Sequence, residues 1–196
     1  MMTDNKKKNR FIKDMGAVFT PVFYIFSIVA VASAIIACGF EPAAIITAVF
    51  LIFLAACAAA DIDKGIVPDM MAVLIAMLAV VRFFTGEVTL QNLMSCLLGS
   101  IVLSLPMLVA ALLIRNGFGG GDIKMTAAAG LFLGLDKTII AGLIAFLIAG
   151  IYGVYLLLTK KRGAKGKVKL APYLALGCAF SELFGTVFLE IFRAYL

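Results

Sequence analysis

The chain has 196 residues, of which 64% are hydrophobic and 14% charged, with a formal net charge of +6 at pH 7 and no histidine. The apolar share is well above that of ordinary soluble domains and marks an integral membrane protein. Without imidazole, serine–histidine and cysteine–histidine hydrolysis and the zinc-peptidase HExxH helix are excluded, so acid–base chemistry falls to carboxylates, lysine, tyrosine or cysteine.

A bilayer core is spanned by ~20 apolar helical residues. On that length, residues 1–16 form a basic tail and the first predicted helix is 17–38. Ile35-Ile36-Ala37-Cys38 resembles a lipoprotein cleavage box. The apolar run is nevertheless longer than a signal core of ~7–15 residues and leads into a multi-span protein, so it is expected to stay as an extra amino-terminal helix. Only Gly39-Phe40-Glu41 precede the next helix, 42–61, which closes at Asp61. Helices at 69–85 and 93–115 follow, then Gly119-Gly120-Gly121-Asp122 opens a short helix at 122–135, and the chain finishes with helices at 137–159 and 171–193. The expected fold is all-α: a single-domain polytopic bundle of about seven transmembrane segments, with a core at 42–193. The short helix rises only ~20 Å, and Ala127, Ala128, Ala129, Gly130 and Gly134 give it a small surface suited to the bundle centre.

Basic residues sort to one side of a seven-helix path. Lys6, Lys7, Lys8, Arg10 and Lys13, then Lys64, then Arg115 and Lys124, then Lys160, Lys161, Arg162, Lys165, Lys167 and Lys169 fall together, whereas Glu41, Glu87 and Asp136 with Lys137 fall opposite. The positive-inside rule assigns the basic side, including the amino terminus and both aspartate motifs, to the cytoplasm. The positive charge is thus topogenic, and no nucleic-acid partner is expected. Cys38, Cys57, Cys96 and Cys178 have no CxxC spacing and read as small buried apolar residues, so no metal or cofactor is expected.

Two aspartates at polar breaks carry the chemistry: Ala60-Asp61-Ile62-Asp63-Lys64-Gly65-Ile66-Val67-Pro68-Asp69 and Gly119-Gly120-Gly121-Asp122-Ile123-Lys124. Carboxylates beside bilayer-length apolar runs are costly. Two of them sharing a proton can hydrolyse a peptide, one taking a proton from water while the other polarises the carbonyl. Helix ends favour a protonated Asp61 at a helix C-terminus and an ionised Asp122 at a helix N-terminus. The structural alternative is an N-cap at Asp122 and a turn at 61–69 joining two helices.

Asp61 with Pro68-Asp69, then Gly119-x-Gly121-Asp122-x-Lys124, then Leu170-Ala171-Pro172-Tyr173-Leu174-Ala175-Leu176-Gly177 closely resemble, in this order, the type IV prepilin peptidases of the GxGD class of membrane aspartyl peptidases. The resemblance covers about 42–193. It implies a protease at the cytoplasmic membrane face that removes the short basic leader of type IV pilins or pilin-like proteins after a glycine. It implies Asp61 and Asp122 as catalytic residues, with Gly119, Gly121, Asp63, Pro68, Asp69 and Lys124 in support. Many bacterial relatives carry a large CxxC-bearing cytoplasmic loop, linked with methylating the product, after the first helix; with only 39–41 there, this chain resembles a short, peptidase-only form. A presenilin-like or signal-peptide-peptidase-like protease would need a YD motif before the GxGD, and a small ion-coupled transporter would be expected to show repeat symmetry; neither feature is seen in the sequence. Glu182 and Glu190 lie in the last helix; Glu182, near its middle, reads as an interior hydrogen-bonded carboxyl or, alternatively, a substrate contact.

Overall fold

The computed structural model describes residues 42–86, 90–113, 119–158 and 169–194. They form six helices: α1 (Pro42–Lys64), α2 (Asp69–Phe84), α3 (Leu90–Leu113), α4 (Gly120–Leu133), α5 (Leu135–Leu158) and α6 (Ala171–Ala194). The expected helix at 17–38, its basic tail and the lysines of 160–167 lie outside the described residues. The architecture is an all-α membrane bundle. Ala43–Lys64, Asn92–Leu113, Leu135–Tyr155 and Ala171–Ile191 are long and apolar enough to cross a membrane. α2 and α4, at 16 and 14 residues, are shorter than the ~20 residues of a full crossing.

The outer surface agrees with a lipid setting. Leu143, Leu147, Ile151 and Val154 of α5, and Phe184, Val187, Phe188 and Ile191 of α6, are exposed along whole helix faces. Apolar patches this continuous are foreign to water-facing monomers.

The described helices differ from the sequence expectation by one to three residues at their ends, and at α1 and α4 the difference has a backbone reason. α1 continues three residues past Asp61, because Gly65 rather than Asp61 ends it. Gly65 takes φ 68° and its N–H bonds the Asp61 carbonyl at 2.9 Å, a left-handed C-terminal cap. α4 begins at Gly120 with Gly119 as its N-cap. It stops at Gly134, whose φ of 79° turns the chain directly into α5.

α4 packs against α2, α3, α5 and α6 and is therefore the centre of the bundle. Small residues make this possible: a Cβ on Gly99 of α3 would lie 2.6 Å from the Gly130 carbonyl of α4, so the two backbones touch directly. Gly177 of α6 meets the Ala141 carbonyl of α5 in the same way. Phe50 of α1 stacks on Phe132 of α4 with ring centroids 3.9 Å apart. This packing gathers the end of α1 and the starts of α2, α4 and α6 at one end of the bundle. The end of α2, the end of α4 and the start of α5 gather at the other.

Candidate active site

The two aspartate motifs converge. α1 brings Asp61 from its last turn into a position where only 5% of the residue is exposed. α4 brings Asp122 from its first turn, partly buried. The Gly119 N–H donates to the Asp122 carboxyl, the reach-back that an acid at the third helical position makes to its N-cap. The bland reading of Asp122 as an N-cap is thereby corrected: Gly119 caps, and Asp122 bonds back to it. On the other carboxyl, the Ala171 N–H at the start of α6 donates to Asp61, and the charge of Lys169 acts on it. Lys169 also places its Nζ on the Ile62 carbonyl.

Asp122 lies within the electrostatic field of Asp61. Among the described residues, Asp61 Oδ2 and Asp122 Oδ1 are buried without a hydrogen-bond partner. Leaving a buried acceptor unpaired costs ~1–3 kcal/mol, so a structural role alone explains neither atom. Burial, and after it the charge of Asp61, push the Asp122 carboxyl up to about 6, against the Gly119 amide that favours the ionised form. The helix-end argument expects the opposite direction. A helix N-terminus contributes ~0.3–1 kcal/mol at an exposed site, and here desolvation with a like charge outweighs it.

The glycine pattern has a steric basis. A Cβ on Gly121 would lie 2.7 Å from the Val67 carbonyl, and one on Gly119 would lie 3.0 Å from Asp122 Oδ2, whereas one on Gly120 would meet nothing within 4 Å. The outer two glycines let α4 approach the 65–68 loop and let Asp122 fold back; the middle position is free. Pro68 takes the N-cap place of α2 at φ −64° and ψ 131°, the extended geometry its ring favours. Asp63 is exposed. Asp69 pairs with Lys124 at 2.7 Å, with side chains 66% and 58% exposed, a contact that ties α2 to α4 but adds little stability.

Lys169 and the Ala171 amide were not among the site candidates. Lys169 reads in the sequence as one more topogenic cation, and only the entry of α6 beside the end of α1 reveals its position. Glu182 stands elsewhere, toward the far end, bonded to Lys137 at 2.8 Å and facing Arg82 at 3.5 Å. The Thr47 hydroxyl donates to it at 3.4 Å. This is the interior carboxyl of the first reading, and Glu182 does not join the aspartate pair.

Comparison with known proteins follows the same lines. The sequence model of the Type IV leader peptidase family matches residues 48–154. A prepilin leader peptidase/N-methyltransferase of Bacillus subtilis (strain 168) is 30% identical over 138 residues, covering 70% of this chain and 54% of the relative. A protein of the same description from Aeromonas salmonicida (strain A449) is 29% identical over 128 residues, covering 64% of this chain and 44% of the relative. The chain thus spans about half the length of the curated relatives it matches. No solved structure matches it.

Proposed function

This chain belongs to the type IV leader peptidase family, and on that premise we propose that it is a membrane aspartyl endopeptidase that removes the short basic leader of type IV prepilins or pilin-like proteins. The observation that supports the reading is the convergence of two carboxyls, each with one buried oxygen that lacks a hydrogen-bond partner, from motifs about sixty residues apart.

In the proposed reaction one carboxylate takes a proton from water as the water oxygen bonds to the scissile carbonyl carbon. The other carboxyl gives its proton to the carbonyl oxygen. The resulting diol collapses as the carbon–nitrogen bond breaks, the amine nitrogen taking the proton first removed from water and the second hydroxyl returning its proton to the carboxylate that donated it. A leader acid and a mature amino terminus leave, and the pair again carries one proton. Asp69, Lys124 and Pro68 hold the starts of α2 and α4 together, while Gly119 and Gly121 admit Asp122 to the site. The basic-residue asymmetry puts this end at the cytoplasmic face, where a basic leader is retained. The 196 residues contain no CxxC pair, which favours a peptidase without methyltransferase activity.

The test uses the full chain in liposomes with a prepilin-like substrate and no methyl donor. Cleavage should yield an unmodified amino terminus, and Asp61→Ala or Asp122→Ala should each abolish it with the protein still inserted. Residual activity within about tenfold of wild type in either variant, a barrier change of only ~1.4 kcal/mol, would remove that aspartate from the mechanism.

A further inference from the structure

Resting on that reading, we infer that Lys169 is a positioning residue: it keeps the negative charge of the aspartate pair on Asp61, making Asp61 the base that activates water and Asp122 the proton donor. Burial opposes the charge of both carboxyls, and each accepts one backbone amide at a helix start, Asp61 from Ala171 and Asp122 from Gly119; what distinguishes Asp61 is the cation. Lys169 Nζ donates to the carbonyl of Ile62, the residue after Asp61. Two residues further along the chain, the Ala171 N–H donates to the Asp61 carboxyl from the first turn of α6, where the helix carries its positive end. One short segment therefore brings a cation and a helix N-terminus to Asp61. Asp122 receives the Gly119 amide and faces the charge of Asp61.

The other described charges leave this asymmetry in place. Asp63 and Lys64, opposite in sign, follow Asp61 on α1 and are exposed. Asp69 of α2 and Lys124 of α4 neutralise one another. α3 carries no charged residue. The described charges of α5, Asp136 and Lys137, together with Arg82 in the last turn of α2 and Glu182 and Glu190 of α6, belong to the far end of the bundle. Among the described residues, Lys169 supplies the positive charge that acts on Asp61.

Infrared spectroscopy of the reconstituted full chain tests this without substrate. In an Asp122→Asn background Asp61 is the remaining member of the pair, and subtracting the Asp61→Asn/Asp122→Asn double variant removes every other carboxyl. At one fixed pH near neutrality, the protonated-carboxyl band of Asp61 should be weaker while Lys169 is present, because the cation opposes the burial that disfavours its charge. Adding Lys169→Met or Lys169→Gln should strengthen the band, and Lys169→Arg should keep it weak. A band unchanged by both neutral substitutions, or strengthened equally by Lys169→Arg, would overturn the inference. In the otherwise unaltered chain, Lys169→Met should also shift the onset of cleavage to a pH about one unit higher, with Lys169→Arg restoring it. Failure of the peptidase reading shows separately, as a wild-type protein that cuts no prepilin while the band still follows the charge at position 169.

Discussion

The two ends of the bundle treat a buried carboxylate in opposite ways. Toward the far end, Glu182 has a lysine at 2.8 Å, an arginine at 3.5 Å and the Thr47 hydroxyl around it. Arg82 is itself built in, donating to the Phe132 carbonyl at 3.1 Å and lying 4.7 Å over the Phe132 ring. At the motif end two carboxylates share a smaller set of donors, and an oxygen of each is left without a partner. A buried acid that is fully paired ties helices together; one left short of donors and set beside a like charge is poised to exchange protons. Residue type and helix position do not separate the two cases. Their partners do.

The largest expected effects follow from that contrast and run in opposite directions. Asp122→Asn should lower cleavage by ~10²–10⁴-fold or more with little loss of thermal stability, because asparagine keeps the shape and neutrality of the protonated carboxyl. Glu182→Ala should cost ~3–5 kcal/mol of stability by removing the buried carboxylate that pairs with Lys137 and faces Arg82, while turnover per folded molecule stays within about tenfold of wild type. Melting temperatures and active-site-normalised rates of the two variants check both halves. A stable, inactive Glu182→Ala protein would move Glu182 into the reaction and erase the distinction between the ends.

Smaller, and confined to the motif end, is the difference between neighbouring glycines. Gly121→Ala puts a methyl group 2.7 Å from the Val67 carbonyl, so α4 must withdraw from the 65–68 loop, at ~1–3 kcal/mol for an overpacked contact. Gly120→Ala has open space around it and should be neutral or slightly stabilising, since alanine favours helix over glycine by about 1 kcal/mol. Cleavage should fall in the first variant and persist in the second. Equal losses would mean that the motif is read by substrate and not by packing.

How much of this was legible in the sequence depends on range. The positions of the helices, the central place of α4 and the meeting of the two motifs follow from apolar run lengths, small residues and loop chemistry, all of which are local. Asp122 as a reach-back partner to a Gly119 cap was missed because glycine and aspartate are both good caps and the pattern does not choose between them. Lys169 was missed because its value lies in a contact with Ile62, 107 residues away. The partners of Glu182 are likewise distant: Lys137 is 45 residues off and Thr47 is 135. Burial is the other hidden quantity. Helix-end electrostatics can be read from a sequence, but the desolvation that raises Asp122 arises only when α4 is packed in the centre of the bundle.

The finest distinction is which aspartate holds the shared proton, and here pH and binding give linked answers. Because burial and Asp61 push Asp122 up to about 6, the donor keeps its proton below that value and loses it as pH rises through it. kcat/KM, which reports the free enzyme, should therefore decline by about tenfold per unit on the alkaline side. The same sign applies to folding: the stability contributed by this raised carboxyl is full below its ordinary range and is lost as pH rises through about 6. Asparagine imitates a protonated aspartate in shape and charge, so Asp122→Asn should preserve binding of an uncleavable prepilin analogue better than Asp61→Asn, by several-fold, since ~1 kcal/mol is a factor of about five. Helix-end reasoning alone expects the reverse order. The reverse order, measured with Lys169 in place, would mean that the macrodipole outweighs burial and the Lys169 charge at this end of the bundle. The predicted order, lost in Lys169→Met, would locate the asymmetry of the pair in the segment that leads into α6.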